Sequence, residues 1–100
     1  MFDGQFEMPL AAAISKVQRA RNLAEAKHVE QALEEAQAAV ALAPDSIQTQ
    51  LAVGDILREM GQPQQARPLY EKALQLARTI EPEFQIRSIP DIEQRLVDLK

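Results

Sequence analysis

Few residues of this chain have side chains that could do chemistry, and they do not cluster. His28 is the single histidine. It stands between two stretches of helical periodicity, where a solvated turn residue is the ordinary explanation. To act as a general base it would need Ser15, Ser46 or Ser88 and a carboxylate beside it, and no such set stands at motif spacing. Glu34-Glu35 and Glu81-Pro82-Glu83 are paired carboxylates without the ligand spacing of a calcium loop, so they read as a solvated helix face and a loop. Cysteine is absent, which excludes thiol nucleophiles, thiolate metal sites and disulfides together. The expectation is therefore no catalytic residue, no metal and no cofactor. Lys16 with Arg19-Ala20-Arg21 forms the basic cluster; it would suit an acidic peptide, although charges at this spacing usually only solvate a helix. Tyr70 and Phe84 are the candidates for a binding aromatic. Phe84, in a proline-bounded segment, reads as an apolar plug at the end of the core.

The elements that hold these residues are helices. The chain has 100 residues, enough for one ordinary domain, with 46% hydrophobic and 26% charged residues. Sixteen alanines, twelve glutamines and eleven leucines stand against three glycines and four aromatics. That composition favours helix and starves strands. The net charge is −4, divided as −3 over residues 1–50 and −1 over 51–100, so neither half offers the basic footprint of a nucleic-acid binder. No positively charged leader and no apolar stretch of membrane-spanning length is present, which makes a cytoplasmic, membrane-free chain the default expectation.

Prolines, glycines and polar breaks divide the chain into five predicted helices: about 9–26, 29–43, 46–60, from Pro63 to about 80, and a short last one from 88. Residues 1–8 form a lead. Asp45 or Ser46 is the expected cap of the third helix. Its apolar residues cover more than one face, which predicts neighbours on two sides. Gly61 suits a left-handed helix end and Pro63 the first turn of the next helix. Pro68, beyond that first turn, predicts a late start or a bend. Glu81 to Ser88 is expected to be extended or a single turn, with Ser88-x-x-Asp91 capping a last helix whose seam is Ile89, Ile92, Leu96 and Leu99.

A shift of 34 residues superimposes the boundaries of these helices and matches seven positions, among them Ala32 on Ala66, Ala39 on Ala73 and Leu42 on Leu76. With Val53-Gly54, Leu57, Gly61, Ala66-x3-Tyr70 and Ala73 in the second unit, the sequence resembles the tetratricopeptide repeat family. Residues 47–80 carry the resemblance best. Residues 13–46 carry it in their second helix, while Lys16 and Arg19 fall on the family's core positions and Lys27 replaces the turn glycine. Gln50 and Arg78 depart where a large apolar residue and a proline are usual. The departures predict a longer first helix or an irregular first turn.

The resemblance implies an all-α fold of antiparallel helix-turn-helix repeats, a tetratricopeptide-like solenoid forming one domain over 1–100, with residues 88–100 as a capping helix. It implies a concave groove for an extended peptide or partner helix, lined by Arg21, Gln48, Leu51, Asp55, Arg58 and Glu59, with Val17 a further candidate. The function so implied is a non-catalytic protein-interaction scaffold. The alternative is the detached tail of a larger enzyme or envelope protein, where the repeats position a catalytic domain. Two repeats fall short of the three that usually suffice, so a second copy of the chain, an N-terminal cap or upstream repeats must cover the open end, and a homodimer is expected.

Overall fold

The computed structural model describes residues 9–80 and 82–99, apart from the side chain of Phe84, so the lead segment and the expected Phe84 plug lie outside the described residues. The described residues form five α-helices and no strand: α1 (Pro9–Glu25), α2 (Val29–Leu42), α3 (Ile47–Glu59), α4 (Pro63–Ala77) and α5 (Pro82–Asp98). Short connections make α1/α2 and α3/α4 hairpins. Helix α3 lies against both helices of the first hairpin, and α5 lies against α4. No described helix is long and apolar enough to cross a membrane.

The two hairpins turn in the same way, 34 residues apart. At the first, His28 N–H donates to the Leu23 carbonyl and Lys27 N–H to that of Ala24; at the second, Gln62 N–H donates to Leu57 and Gly61 N–H to Arg58. This pair of bonds closes a helix end through one left-handed residue. Gly61 fills that position with φ 77° and Lys27 with φ 68°. The expected irregular first turn is therefore corrected: the lysine adopts the glycine's conformation because the same two bonds hold it there. The expected longer first helix is present, since α1 has 17 residues against 13 in α3.

Ser46, rather than Asp45, caps α3, its hydroxyl accepting from Thr49 N–H at 3.1 Å. The late start at Pro68 does not occur, because α4 already begins at Pro63 and runs through Pro68. The proline removes one backbone donor, yet both Pro68 and Gln64, whose carbonyl loses its partner, face solvent that can replace it. The extended segment 81–88 is likewise corrected. Helix α5 starts at Pro82, with Glu83 in its first turn, so Ser88 sits inside the helix and caps nothing. A proline suits a first helical position and an acidic residue the positive end of the helix, and these local preferences outweigh the second proline, Pro90.

Alanine builds much of the core. Ala13, Ala20, Ala32, Ala39, Ala66, Ala73 and Ala77 are all fully buried, which lets helix backbones approach closely. The large residues sit between them: Val53, Ile56, Leu57 and Tyr70 join the main cluster, while Ile92 of α5 packs on Ala73 and Ala77. Gly54 and Tyr70 occupy the repeat positions that Ala20 and Ala36 hold in the first hairpin, and all four are buried. One pair thus combines no side chain with a large one, and the other uses two small ones.

Candidate functional site

The six residues expected to line one groove divide between two places. Arg21 and Gln48 meet at the seam where α1 and α3 run side by side, in a cleft of about 290 Å³ completed by Ile14, Val17, Gln18, Thr49 and Ala52. Arg21 also borders a second cavity of about 420 Å³ further along the seam, where Glu59 faces it together with Glu25, Lys27 and Met60. The chemistry here is mixed. The first cleft has Arg21 as its one charged residue, two amides and an apolar floor; the second adds two carboxylates and a lysine.

Leu51 and Asp55 reach instead toward α5, and Arg58 lies beside Asp55. Leu51 packs on both apolar clusters, and so bridges α3 to Ile92 and Ala73. Asp55 is the centre of a polar network. It accepts hydrogen bonds from the Tyr70 hydroxyl, from Arg95 Nε at 3.0 Å and from Arg95 Nη2 at 3.2 Å. Arg58 lies 3.9 Å away, and Arg95 continues to Asp91 one turn back on its own helix. A carboxylate gripped through both its oxygens by one edge of a guanidinium, Nε and Nη2, and by a phenol holds three elements together, α3, α4 and α5. It is not a free groove residue.

Sequence reasoning missed Arg95. The Asp91-x-x-x-Arg95 spacing signals an ion pair within α5, and Arg95, three residues after Ile92 and four before Leu99, borders the apolar seam, but that spacing does not point to Asp55. It also missed Gln50, buried at 2% exposure, whose amide donates to the Pro44 carbonyl at 2.7 Å and ties α3 to the turn before it. The basic cluster does not act as a unit. Lys16 pairs with Glu35 across the first hairpin at 3.2 Å, a partly exposed contact worth under about 1 kcal/mol, while Arg21 turns to the seam.

Burial raises the Tyr70 hydroxyl far above the ordinary tyrosine value, and the hydrogen bond to Asp55 and its negative charge push the same way; Arg58 and Arg95 oppose. The Asp55 hydrogen bond likewise raises Arg95, against its partial burial. A group whose folded-state value is raised contributes stability that is complete below its unfolded value, about 10 for tyrosine, and is lost as pH rises through the folded one. The chain has one tyrosine and no tryptophan, so near-ultraviolet absorbance follows Tyr70 alone. The phenolate signal is expected to emerge only as helical circular dichroism collapses, both above pH about 10. A phenolate signal at the free-tyrosine pH in a still-helical chain would mean that the ring is not held as described.

His28 is exposed at the first turn, beside a shallow depression formed by its own neighbours Lys27, Val29, Glu30 and Gln31. Ser46 is engaged as a cap, and Ser15 and Ser88 belong to α1 and α5. Among the described residues no group of three or more histidines, aspartates or glutamates could hold a metal ion. The helices alternate and pack in a way consistent with a helical repeat, and the seam between its first and third helices is the candidate site. No family model matches the chain, nor does any curated protein or solved structure.

Proposed function

We propose that this chain is a non-catalytic protein-interaction module of tetratricopeptide type, whose α1/α3 seam receives an extended peptide or a helix from a partner protein, and which also associates with itself. The observation that carries the reading is the pair of hairpins with equivalent turns. Their turns close through the same hydrogen bonds 34 residues apart, with left-handed Lys27 and Gly61 in equivalent places. Repeated hairpins of this kind lay their first helices side by side, and the shallow trough between those helices suits an elongated ligand better than a compact one. Arg21 supports the position of the site, being half-buried at the seam with no ion pair among the described residues.

Recognition would rest on an apolar strip from Ile14 through Val17 to Ala52, with Gln18 and Gln48 to bond a peptide backbone and Arg21 to favour an acidic side chain. A peptide-display selection against the folded chain tests this. Selected peptides should lose at least about tenfold in affinity with Arg21→Glu, and be unmoved by Lys72→Glu on the exposed side of α4. Failure to select any peptide, or binding indifferent to Arg21→Glu, would remove the seam as the site.

A further inference from the structure

The α1/α3 seam is least covered at the end where the chain enters α1. Leu10 and Ile14 are 44% and 56% exposed in the first two turns of that helix, on the same side as Val17 and Arg21. Directly before them in the sequence stand residues 1–8, Met1-Phe2-Asp3-Gly4-Gln5-Phe6-Glu7-Met8, which lie outside the described residues. This lead carries two phenylalanines, two carboxylates and no basic side chain. It is therefore an acidic, apolar segment tethered at the mouth of a seam whose first cleft has an apolar floor and Arg21 as its one charged residue.

We infer that the lead folds back along the seam as an extended strand antiparallel to α1, so that a partner's peptide must compete with it. The inference rests on the reading of the seam as a peptide groove, and it names what regulates access to that groove. Reach selects the lead as the occupant. A helix advances about 1.5 Å per residue and an extended chain about 3.3 Å. Counted from Pro9, Ile14 and Val17 lie about 8 and 12 Å along α1, Arg21 about 18 Å and Ala24 about 22 Å. Phe6, Asp3 and Phe2 reach back about 10, 20 and 23 Å from the same proline. Phe6 then comes over the first cleft, between Ile14 and Val17, and Phe2 over the second cavity with its apolar Ala24, Ile56 and Met60. A residue spent on the reversal shifts this register by about 3 Å, less than a helical turn. The charges agree with the lengths. Asp3 is brought to Arg21, which has no ion pair among the described residues, while Glu25 and Glu59 stand at the second cavity opposite the uncharged Phe2. The two phenylalanines, four residues apart, project from one side of an extended strand toward the floor, and Asp3 from the other, where the long Arg21 side chain reaches it from the wall. The tether supplies the lead at roughly millimolar effective concentration, which a free peptide must outcompete.

The experiment is nuclear magnetic resonance of the isotope-labelled full chain. Its aromatic residues are three phenylalanines and one tyrosine, so each ring-to-methyl Overhauser contact can be assigned to a single ring. Phe2 should contact the methyls of Ala24 and Met60, and Phe6 those of Ile14, Val17 and Ala52. These contacts should persist on dilution and be absent between labelled and unlabelled copies in a mixture. Arg21→Glu should weaken both sets. Peptides selected on the seam should bind the chain carrying Phe2→Ser and Phe6→Ser about tenfold more tightly than the unaltered chain, because the lead no longer competes. Lead contacts missing from the seam, or seen only between copies, would overturn the lead as occupant while leaving peptide recognition standing. Lead contacts at the seam of a chain that selects no peptide in either form would uphold the lead as occupant and overturn the partner reading.

Discussion

Replacing Gly54 with valine is expected to lower the stability of the fold by about 3 kcal/mol or more, one of the two largest single-residue effects anticipated here. A Cβ at this position would stand 2.5 Å from Tyr70 Cε1, 2.9 Å from Cδ1 and 3.1 Å from Cζ. The ring has nowhere to withdraw. It is fully buried, and its hydroxyl is bonded to a carboxylate that Arg95 holds from the other side. Alanine would recover roughly 1 kcal/mol of helix propensity against an overpacking cost of about 1–3 kcal/mol, so Gly54→Ala should cost less. Valine brings two further carbons and a stiff side chain, and it forfeits most of the propensity gain. In a chain of this size the valine variant should melt about 12–24 °C lower by far-ultraviolet circular dichroism. Gly54→Ala combined with Tyr70→Leu should cost less than the sum of the two separately, since the smaller side chain vacates the space the methyl needs. A valine variant melting within a few degrees of the unaltered chain would show that the two helices do not meet at Gly54.

Asp55→Ala is expected to cost about 2–4 kcal/mol, and to loosen α5 before the rest of the molecule. The substitution leaves the Tyr70 hydroxyl without its acceptor in a buried setting, and deprives Arg95 of two of its hydrogen bonds. Arg95 keeps Asp91, but that aspartate is on its own helix and so holds α5 to nothing else. What remains between α5 and the body is the small apolar cluster around Ile92, the packing of Leu96 and Leu99 on the main core, and the Gln85 amide, which donates to the Arg78 and Ile80 carbonyls. Amide hydrogen exchange resolves the claim: α5 protection should fall by more than that of α1 and α2, whose contacts do not involve Asp55. Asp55→Asn, which retains one carbonyl acceptor, should lose less. Uniform change along the chain would mean that the network supports global stability without fastening α5 in particular.

This assignment of Asp55 bears on function. A groove running across all six candidate residues would have placed Asp55 and Arg58 in contact with a ligand. The structure commits Asp55 to α5 and sets Arg58 beside it, and the seam around Arg21, Gln48 and Glu59 is what stays open. Substitutions at Asp55 should therefore act through stability, and substitutions at Arg21 through binding.

The sequence by itself determined the helices and most of their ends. Alanine and leucine at helical spacing, Gly61 before Pro63 and Ser46 ahead of α3 are local signals, set by backbone conformation and by hydrogen bonds within a turn, and local signals survive whatever the rest of the chain does. The 34-residue period was legible for the same reason, because each hairpin repeats its own local grammar. Two local features were misread. Lys27 departs from the glycine of the turn pattern, and residues 81–88 read as an extended segment or a single turn; in both places the backbone bonds of a helix end, or the start of a helix, outweigh a residue's general preference. Tertiary structure alone decided which polar side chains were used up. Asp55, Tyr70 and Arg95 come from three helices, and 40 residues separate the aspartate from the arginine. Nothing in the spacing of either residue foretells their meeting. The same packing settled how much of α5 is covered, since burial depends on which neighbour reaches a face, and a helix's own apolar pattern does not say how wide that neighbour is.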